Sequence, residues 1–301
     1  NFAYFIRMYR EIHRYVANNG LPFLVHIHIP VKAGWAGLYI KWRWNIPYIV
    51  TEHSSAYIPE IENGFYSRNA FFRFATRKIL EGASVITSVS NWLIQHMESI
   101  FLLRKTTIIR NVVDTNLFYP SHQSTDKIRF IHVSMMRPLK NVEGILAALA
   151  ILKQTHSNWE LILVGPYHAN LLQHAHELGL SDFIQWKGLC PYEEVASAMR
   201  SADALIHFSD YENLPCVISE ALCAGLFVIS SQVGGISELV STSHGTLFQK
   251  GDVVALTEAM RNYLNNTSER AEQSTNEQFR AAFNYKRIGE DFDTLYRSIK
   301  L

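Results

Sequence analysis

Two glutamates in the second half of this 301-residue chain are spaced so that they could bind hydroxyl groups together. Glu212 and Glu220 are separated by seven residues within the run SDYENLPCVISEALCAG. A carboxylate accepts hydrogen bonds from neighbouring hydroxyl groups, and this chemistry suits sugars and ribose. The pair therefore marks a candidate site for a sugar or a nucleotide.

A short helix is predicted to carry the second of these carboxylates. Pro215 is expected to be the first helical residue, and Gly225 is expected to end the helix. The unpaired backbone amides at a helix N-terminus, here beside Asn213 and Leu214, attract a phosphate group. The same segment could therefore bind both the hydroxyl groups and the phosphates of one ligand.

Short apolar segments alternate with helical patterns, as in parallel sheets with crossover helices. Strands are predicted at residues 23–28, 47–53, 84–90, 107–111, 128–134, 159–165, 183–188, 204–209 and 226–231. The predicted fold class is α/β, with two Rossmann-like domains. We place the N-terminal domain at 1–118 and the C-terminal domain at 119–284, with a helix at 285–301 that crosses back to the first domain.

Charged residues of the second domain follow its predicted strands. Arg137 and Lys140 come after the strand at 128–134, and the run that contains Glu212 comes after the strand at 204–209. In open parallel sheets, ligands bind outside the carboxyl ends of the strands. These basic and acidic side chains are therefore expected at one edge of the sheet, where Gly165 makes the turn after a further strand.

Composition limits the functional classes that fit the chain. Lysine and arginine outnumber acidic residues by 13 to 7 over residues 1–118, whereas acidic residues outnumber them by 20 to 15 over the remainder. The basic half is too dilute to indicate nucleic-acid binding and is compatible with an anionic membrane surface or acceptor. The stretches 34–44 and 71–80 mix aromatic or aliphatic residues with Arg and Lys, as interfacial helices do.

The cysteines favour a reducing compartment. Cys190, Cys216 and Cys223 are odd in number and form no CxxC pair, so neither a disulfide framework nor a structural zinc site is indicated. No apolar run approaches the roughly 20 residues that span a bilayer. We expect a cytoplasmic protein, with peripheral contact at the inner face of the cytoplasmic membrane as an open alternative.

One family resemblance covers most of residues 128–250. The run ENLPCVISEALCAGLFVISSQVGGISE (212–238) resembles the E-x7-E region of retaining GT-B glycosyltransferases of family 4. It is supported in family order by RPLKN (137–141), by KGLCPYEEVASAMRSADALIHFS (187–209) and by VGGISELV (233–240). Asn213 and Leu214 depart from the family, because many relatives have Gly-Phe after the first glutamate.

The resemblance implies a role for each matching residue around a nucleotide-sugar donor. Glu212 would hold the transferred sugar, and Glu220 would bond the ribose. The donor diphosphate would lie against Arg137 and Lys140. The base would be lined by Lys187, Gly188 and Leu189.

The first domain resembles the family more diffusely, through HIHIP (26–30), TEHSSAY (51–57), SVSNWL (88–93) and IIRNVVDTNLF (108–118). His53 matches a family histidine near the reacting sugar. The opening strand and glycine-rich loop of the family have no counterpart in this sequence. A nucleotide-sugar-binding fragment or pseudoenzyme is therefore kept as an alternative to an enzyme.

By resemblance, the reaction is the retaining transfer of a hexosyl group from a UDP- or GDP-sugar to a carbohydrate or lipid-linked acceptor, as in surface polysaccharide synthesis. No cofactor is required, and metal independence is expected because the two basic side chains can replace a divalent ion. A sugar-nucleotide epimerase on the same architecture is a further alternative. His26 and His28 form an HxH pair that is more typical of structural histidines than of metal ligands, and Gly234-Gly235 makes either a tight turn or a phosphate contact.

Overall fold

The chain forms two compact units. The computed structural model describes residues 2–59, 61, 64–121, 126–266 and 277–299. The first unit comprises Asn1–Arg110 and Gly289–Leu301, and the second comprises Asn111–Ile288. The domain boundaries predicted from the sequence, 118/119 and 284/285, lie a few residues from the boundaries between these units.

The first unit is built on a four-stranded parallel sheet with the strand order β1-β2-β3-β4. Its strands are β1 (Val25–His28), β2 (Tyr48–Glu52), β3 (Val85–Ser88) and β4 (Thr106–Ile108). Its helices are α1 (Phe2–Asn19), α2 (Gly34–Trp44), α3 (Ala70–Gly82) and α4 (Asn91–Glu98). All residues of β2 and β3 are buried, as expected for parallel strands covered on both faces.

The second unit is built on a six-stranded parallel sheet with the order β10-β9-β8-β5-β6-β7. Its strands are β5 (Ile128–Val133), β6 (Trp159–Val164), β7 (Ile184–Gly188), β8 (Ala204–His207), β9 (Phe227–Ser231) and β10 (Gly245–Phe248). Its helices are α5 (Val142–Lys153), α6 (Ala169–Glu177), α7 (Tyr192–Arg200), α8 (Cys216–Cys223), α9 (Val253–Asn265) and α10 (Glu277–Phe283).

The strand order of the second sheet reverses between β5 and β8. From β5 the chain runs outward through β6 and β7, then returns to the other side of β5 and continues through β8, β9 and β10. The carboxyl ends of β5 and β8 are therefore neighbours at a topological switch point, where open α/β sheets bind their ligands. At this point Gly144, in the first turn of α5, lies against the ring of Phe208, so close that a Cβ would stand 2.5 Å from it.

The final helix, α11 (Tyr285–Ser298), links the two units. It begins in the second unit, and its residues from Gly289 onward belong to the first. The hydroxyl of Tyr296 lies 2.8 Å from Nδ1 of His26 on β1. The predicted return of this helix to the first domain is confirmed.

The predicted α/β class with two parallel sheets is confirmed, and all nine predicted strands are present with ends shifted by a few residues. β10 and α10 were not predicted. The prediction that Pro215 opens α8 is wrong by one residue, because its extended backbone (φ −70°, ψ 129°) makes it the N-cap. Among the described residues, no helix is both long and apolar enough to cross a membrane.

Candidate functional site

An ion-paired glutamate stands at the switch point of the second sheet. Oε1 of Glu212, in the loop after β8, accepts a short hydrogen bond from Nζ of Lys140, in the loop after β5. The same oxygen lies 3.0 Å from Nε2 of His207, the last residue of β8. Within the described chain, Oε2 of Glu212 makes no hydrogen bond, so one oxygen is held and the other is available to a ligand.

The surroundings of Glu212 keep it ionised. Burial is the largest influence on its pKa and would raise it, because a charged carboxylate loses water. The hydrogen bonds and charges of His207 and Lys140 outweigh burial together and lower the pKa to about 2. A fixed negative charge at this position suits the hydroxyl groups of a sugar, which donate hydrogen bonds.

Backbone contacts hold the two loops of the switch point together. The amide of Asp210 donates to the carbonyl of Leu139 at 2.9 Å, which ties the Glu212 loop to the Lys140 loop. The amide of Gly235 donates to the carbonyl of Asn213 at 2.7 Å. Gly234 has φ +58°, and a Cβ there would stand 2.2 Å from the carbonyl oxygen of Glu212. The Gly234-Gly235 pair thus forms a tight turn against the backbone of the glutamate loop.

The crowding at Gly234 predicts a stability loss. Gly234→Ala is expected to lower the free energy of unfolding by at least about 2 kcal/mol, because alanine adds both left-handed strain and a clash with backbone oxygen. Gly251→Ala is the matched control: φ is +76° there, but no atom lies within 4 Å of the added Cβ. In urea denaturation, the free energy of unfolding of Gly251→Ala should fall by only about 1 kcal/mol. Equal losses in the two variants would show that the close packing of Gly234 against Glu212 does not contribute to stability.

Glu220 lies on α8 and is already held by a tyrosine. Its Oε1 accepts a hydrogen bond of 2.9 Å from the hydroxyl of Tyr192 on α7. Burial raises the pKa of Glu220, and the bond from Tyr192 opposes this only in part. The pKa of the Cys216 thiol is raised first by burial and then by the charges of Glu220 and Glu212, and hydrogen bonds, including one from Asn111, offset this in part. Both carboxylates therefore act on the same point at the start of α8.

The residues assigned to the base by resemblance lie at the end of β7, beside the Gly165 turn that follows β6. The amide of Gly165 donates to the carbonyl of Gly188 at 2.9 Å, and a Cβ on Gly165 would stand 2.1 Å from the carbonyl oxygen of Ser134. Lys187 and Leu189 are exposed on either side of the buried Gly188. The ring of Tyr167 covers Gly188, and its hydroxyl donates to the carbonyl of Trp186 at 3.2 Å. The structure thus brings these residues together at one edge.

The remaining predicted residues of the second unit differ in exposure. Arg137 is exposed at the start of the loop that carries Lys140, and it forms no ion pair in the part of the chain that the structure describes. Asn213 and Leu214 are both buried beside Glu212, so their side chains support the loop.

His53 belongs to a group of stacked histidines in the first unit. Its Nε2 lies 3.2 Å from Nδ1 of His28, and the two rings stack with centroids 5.5 Å apart. The ring of His26 is tilted against that of His28, with the ring centroids 4.4 Å apart. Burial, followed by the neighbouring histidines, lowers the pKa of His26 to about 4. The His26 ring is bonded to Thr51 and Tyr296, which agrees with the structural alternative for the HxH pair.

A fully buried glutamate shapes the loop that carries His53. Oε1 of Glu52 accepts hydrogen bonds from the amides of His53 and Ser54 at 2.9 and 2.8 Å. Its Oε2 accepts a bond of 2.6 Å from the hydroxyl of Tyr57. The loop after β2 is therefore held from inside by one side chain, and this role was not predicted from the sequence.

Across residues 2–299, less the undescribed positions, no group of three or more His, Cys, Asp or Glu side chains is arranged to hold a metal ion. An Asp-x-Asp tripeptide occurs at Asp291-Phe292-Asp293 on α11. Oδ2 of Asp293 accepts a hydrogen bond of 2.7 Å from Nε of Arg297 on the next turn of the helix. Metal independence stays a prediction.

Sequence reasoning missed three side chains of the site: His207, Tyr167 and Tyr192. His207 is part of an apolar strand pattern, in which a histidine gives no separate signal. Tyr192 lies 28 residues before Glu220, so only the packing of α7 beside α8 brings them together. The signal for Tyr167 was its position directly after the Gly165 turn, at the carboxyl end of a strand.

The family described as Glycosyl transferases group 1 matches residues 115–279, and Glycosyltransferase Family 4 matches residues 1–117. One relative is the N-acetyl-alpha-D-glucosaminyl L-malate synthase of Bacillus anthracis, which is 26% identical over 251 residues. That alignment covers 77% of this chain and 63% of the relative, so the chain spans less than two thirds of that protein.

Two solved structures have the same fold. Sucrose-phosphate synthase from Thermosynechococcus elongatus superposes with a TM-score of 0.81 at 24% identity, covering 95% of this chain and 75% of that one. Anabaena HepE in complex with UDP superposes with a TM-score of 0.76 at 20% identity, covering 91% of this chain and 79% of the HepE chain. The chain belongs to the Glycosyl transferases group 1 family, and its fold is that of the GT-B glycosyltransferases.

Proposed function

We propose that this protein transfers a hexosyl group from a UDP- or GDP-sugar to a carbohydrate or lipid-linked acceptor, with retention of the anomeric configuration. The observation that carries the proposal is the Lys140–Glu212 pair at the switch point between β5 and β8. It holds a cation, which suits a diphosphate, next to a carboxylate, which suits the hydroxyl groups of a sugar.

Glu212 would bind the transferred sugar through Oε2, because Oε1 is already bonded to Lys140 and His207. Lys140 and the exposed Arg137 would bind the diphosphate. When the sugar–phosphate bond breaks, negative charge develops on the leaving phosphate, and preorganised cations stabilise it at that moment. These two residues would thereby lower the barrier to transfer without a divalent ion.

Glu220 would accept hydrogen bonds from the ribose hydroxyl groups, with Lys187, Gly188 and Leu189 against the base. Anabaena HepE, which has the same fold, has been crystallised with UDP and with UDP-glucose, and this makes a uridine nucleotide the first donor to test here. Retention would follow from attack on the same face that the phosphate leaves, with the phosphate oxygen accepting the proton of the acceptor hydroxyl.

The acceptor side of the proposal rests on the first unit. His53, which matches a family histidine near the reacting sugar, directly follows β2 there. The aromatic side chains of Trp42 on α2 and of Phe71 and Phe74 on α3 are exposed beside Arg43, Arg73 and Lys78. Such a surface favours an anionic lipid interface, and a lipid-linked acceptor in surface polysaccharide synthesis would bring the protein to one.

The proposal is tested by incubating the protein with UDP- and GDP-hexoses, with and without sugar and lipid-linked acceptors. One nucleotide should raise the melting temperature, by the equivalent of about 2.7 kcal/mol at a hundredfold excess over Kd. Transfer should persist in EDTA, and anionic vesicles should co-sediment the protein. Nucleotide binding without transfer would indicate a donor-binding fragment, and a changed sugar without acceptor would indicate an epimerase. If neither nucleotide stabilises the protein, the proposed donor site is refuted.

A further inference from the structure

We propose that His207 is a positioning residue for Glu212, fixing its Oε1 so that Oε2 points to the donor sugar. The inference rests on the proposed function, since it assigns a role in sugar binding. It concerns a side chain for which neither spacing nor family resemblance assigns a role.

The placement of His207 leaves it little freedom. It is the last residue of β8, with a side chain that is 1% exposed, and its neighbour across the sheet is Ser230 of β9. Nε2 lies 3.0 Å from Oε1 of Glu212 and 3.1 Å from Oγ of Ser209. Because the sheet fixes the backbone and the side chain is buried in close-packed surroundings, the direction of the bond to Glu212 is fixed as well.

The hydrogen of the imidazole can be assigned from its partners. Glu212 is an ionised carboxylate and only accepts hydrogen bonds, so the short approach of Nε2 requires a hydrogen on that nitrogen. Nδ1 of His207 is buried and has no hydrogen-bond partner in the described structure. The ring therefore carries a hydrogen on Nε2, and all of its hydrogen bonding in the described structure goes towards the glutamate and its neighbouring serine.

A buried nitrogen without a partner costs stability, so a histidine at this position is not explained by packing alone. An aliphatic residue would fill the same volume without that cost. Lys140 also bonds Oε1, but its side chain is longer than that of His207 and partly exposed. The buried imidazole on the strand sets the direction of its own bond, and the two donors together leave Oε2 for the substrate.

The test compares three replacements at position 207. The side-chain amide of His207→Gln reaches the place of Nε2 and can still donate to Glu212. The amide of His207→Asn reaches only the place of Nδ1, and His207→Leu has no donor. We expect Asn and Leu to lower kcat by about 30- to 100-fold, as misplacement of a catalytic contact by about 1 Å does. KM for the donor should change by less than about threefold, and Gln should restore kcat to within about fivefold of wild type.

Asn and Gln are matched controls, because they carry the same group and differ by one methylene. Equal activity of all three variants with wild type would overturn the proposal, as would an equal loss in all three, which indicates packing alone. Melting curves identify any variant that fails to fold. The position of the hydrogen on the wild-type ring can be read from its ¹⁵N resonances in the absence of the nucleotide sugar, so this measurement does not depend on turnover. A hydrogen on Nδ1 alone would overturn the assignment. Absence of transfer in wild type would refute the proposed function but leave the tautomer result valid.

Discussion

Replacing Lys140 with methionine is expected to lower the rate of sugar transfer by about two to three orders of magnitude, because removing one preorganised stabiliser of a developing anion costs about that much. Methionine keeps an unbranched side chain of nearly the same length, and it removes the charge and the hydrogen-bond donor. The rate is measured under donor saturation, so that the effect falls on kcat. Lys153→Met is the matched control, since Lys153 ends the helix that follows Lys140 and bonds the carbonyl of Gly179, away from the switch point.

The same change should also destabilise the second unit. It leaves Glu212 largely buried with His207 as its remaining partner, and loss of one member of a fully buried ion pair costs about 3–5 kcal/mol. The side chains here are 19% and 12% exposed, so we expect about 1–3 kcal/mol. In the double variant with Glu212→Gln, part of the stability should return, because the unpaired charge is gone. A transfer rate for Lys140→Met within about threefold of the wild-type rate would contradict the proposed role of the Lys140–Glu212 pair.

Replacing Glu220 with alanine is expected to weaken nucleotide binding by roughly 10- to 100-fold, since hydrogen bonds to a charged group contribute about 1.5–3 kcal/mol. The effect should appear in the Kd for UDP or GDP, measured by calorimetry, and much less in kcat under saturation. Glu194→Ala on α7 is the matched control, because that glutamate is exposed on the helix that carries Tyr192.

The binding of nucleotide should also depend on pH through Glu220. Burial raises the pKa of this carboxylate, so it gains a proton at a higher pH than an ordinary glutamate. The ionised form is the acceptor for the ribose, so affinity should fall as the pH is lowered from neutral towards the pKa of Glu220. Glu212, with a pKa of about 2, stays ionised over that range. Wild-type affinity or an unchanged pH profile in Glu220→Ala would exclude contact with the ribose.

The strands that were predicted are those with a strong apolar signal. β6 and β9 are nearly all apolar or buried, and their positions could be read directly. β10 was missed because it has four residues, begins with a glycine and is buried only at its two ends. Pro215 was placed in α8 because proline favours the first turn of a helix, but its extended backbone puts it one residue earlier.

The proximity of Lys140 and Glu212 could be predicted from the sequence, for a geometric reason. Lys140 and Glu212 lie 72 residues apart, yet each follows a strand, and the carboxyl ends of parallel strands share one edge. The contact of Glu212 with His207 depends on how the loop after β8 folds back on the end of that strand, and the contact of Glu220 with Tyr192 depends on the packing of α7 beside α8. No spacing rule predicts such contacts, which is why these two partners emerged only with the structure.

The most direct test of the account is a crystal structure of the protein with the UDP- or GDP-sugar that stabilises it. Oε2 of Glu212 should lie within hydrogen-bond distance of a hydroxyl of the sugar, with Nζ of Lys140 against the diphosphate and Glu220 against the ribose. A donor bound with its sugar away from Glu212, or at any place other than the edge between β5 and β8, would contradict the central claim.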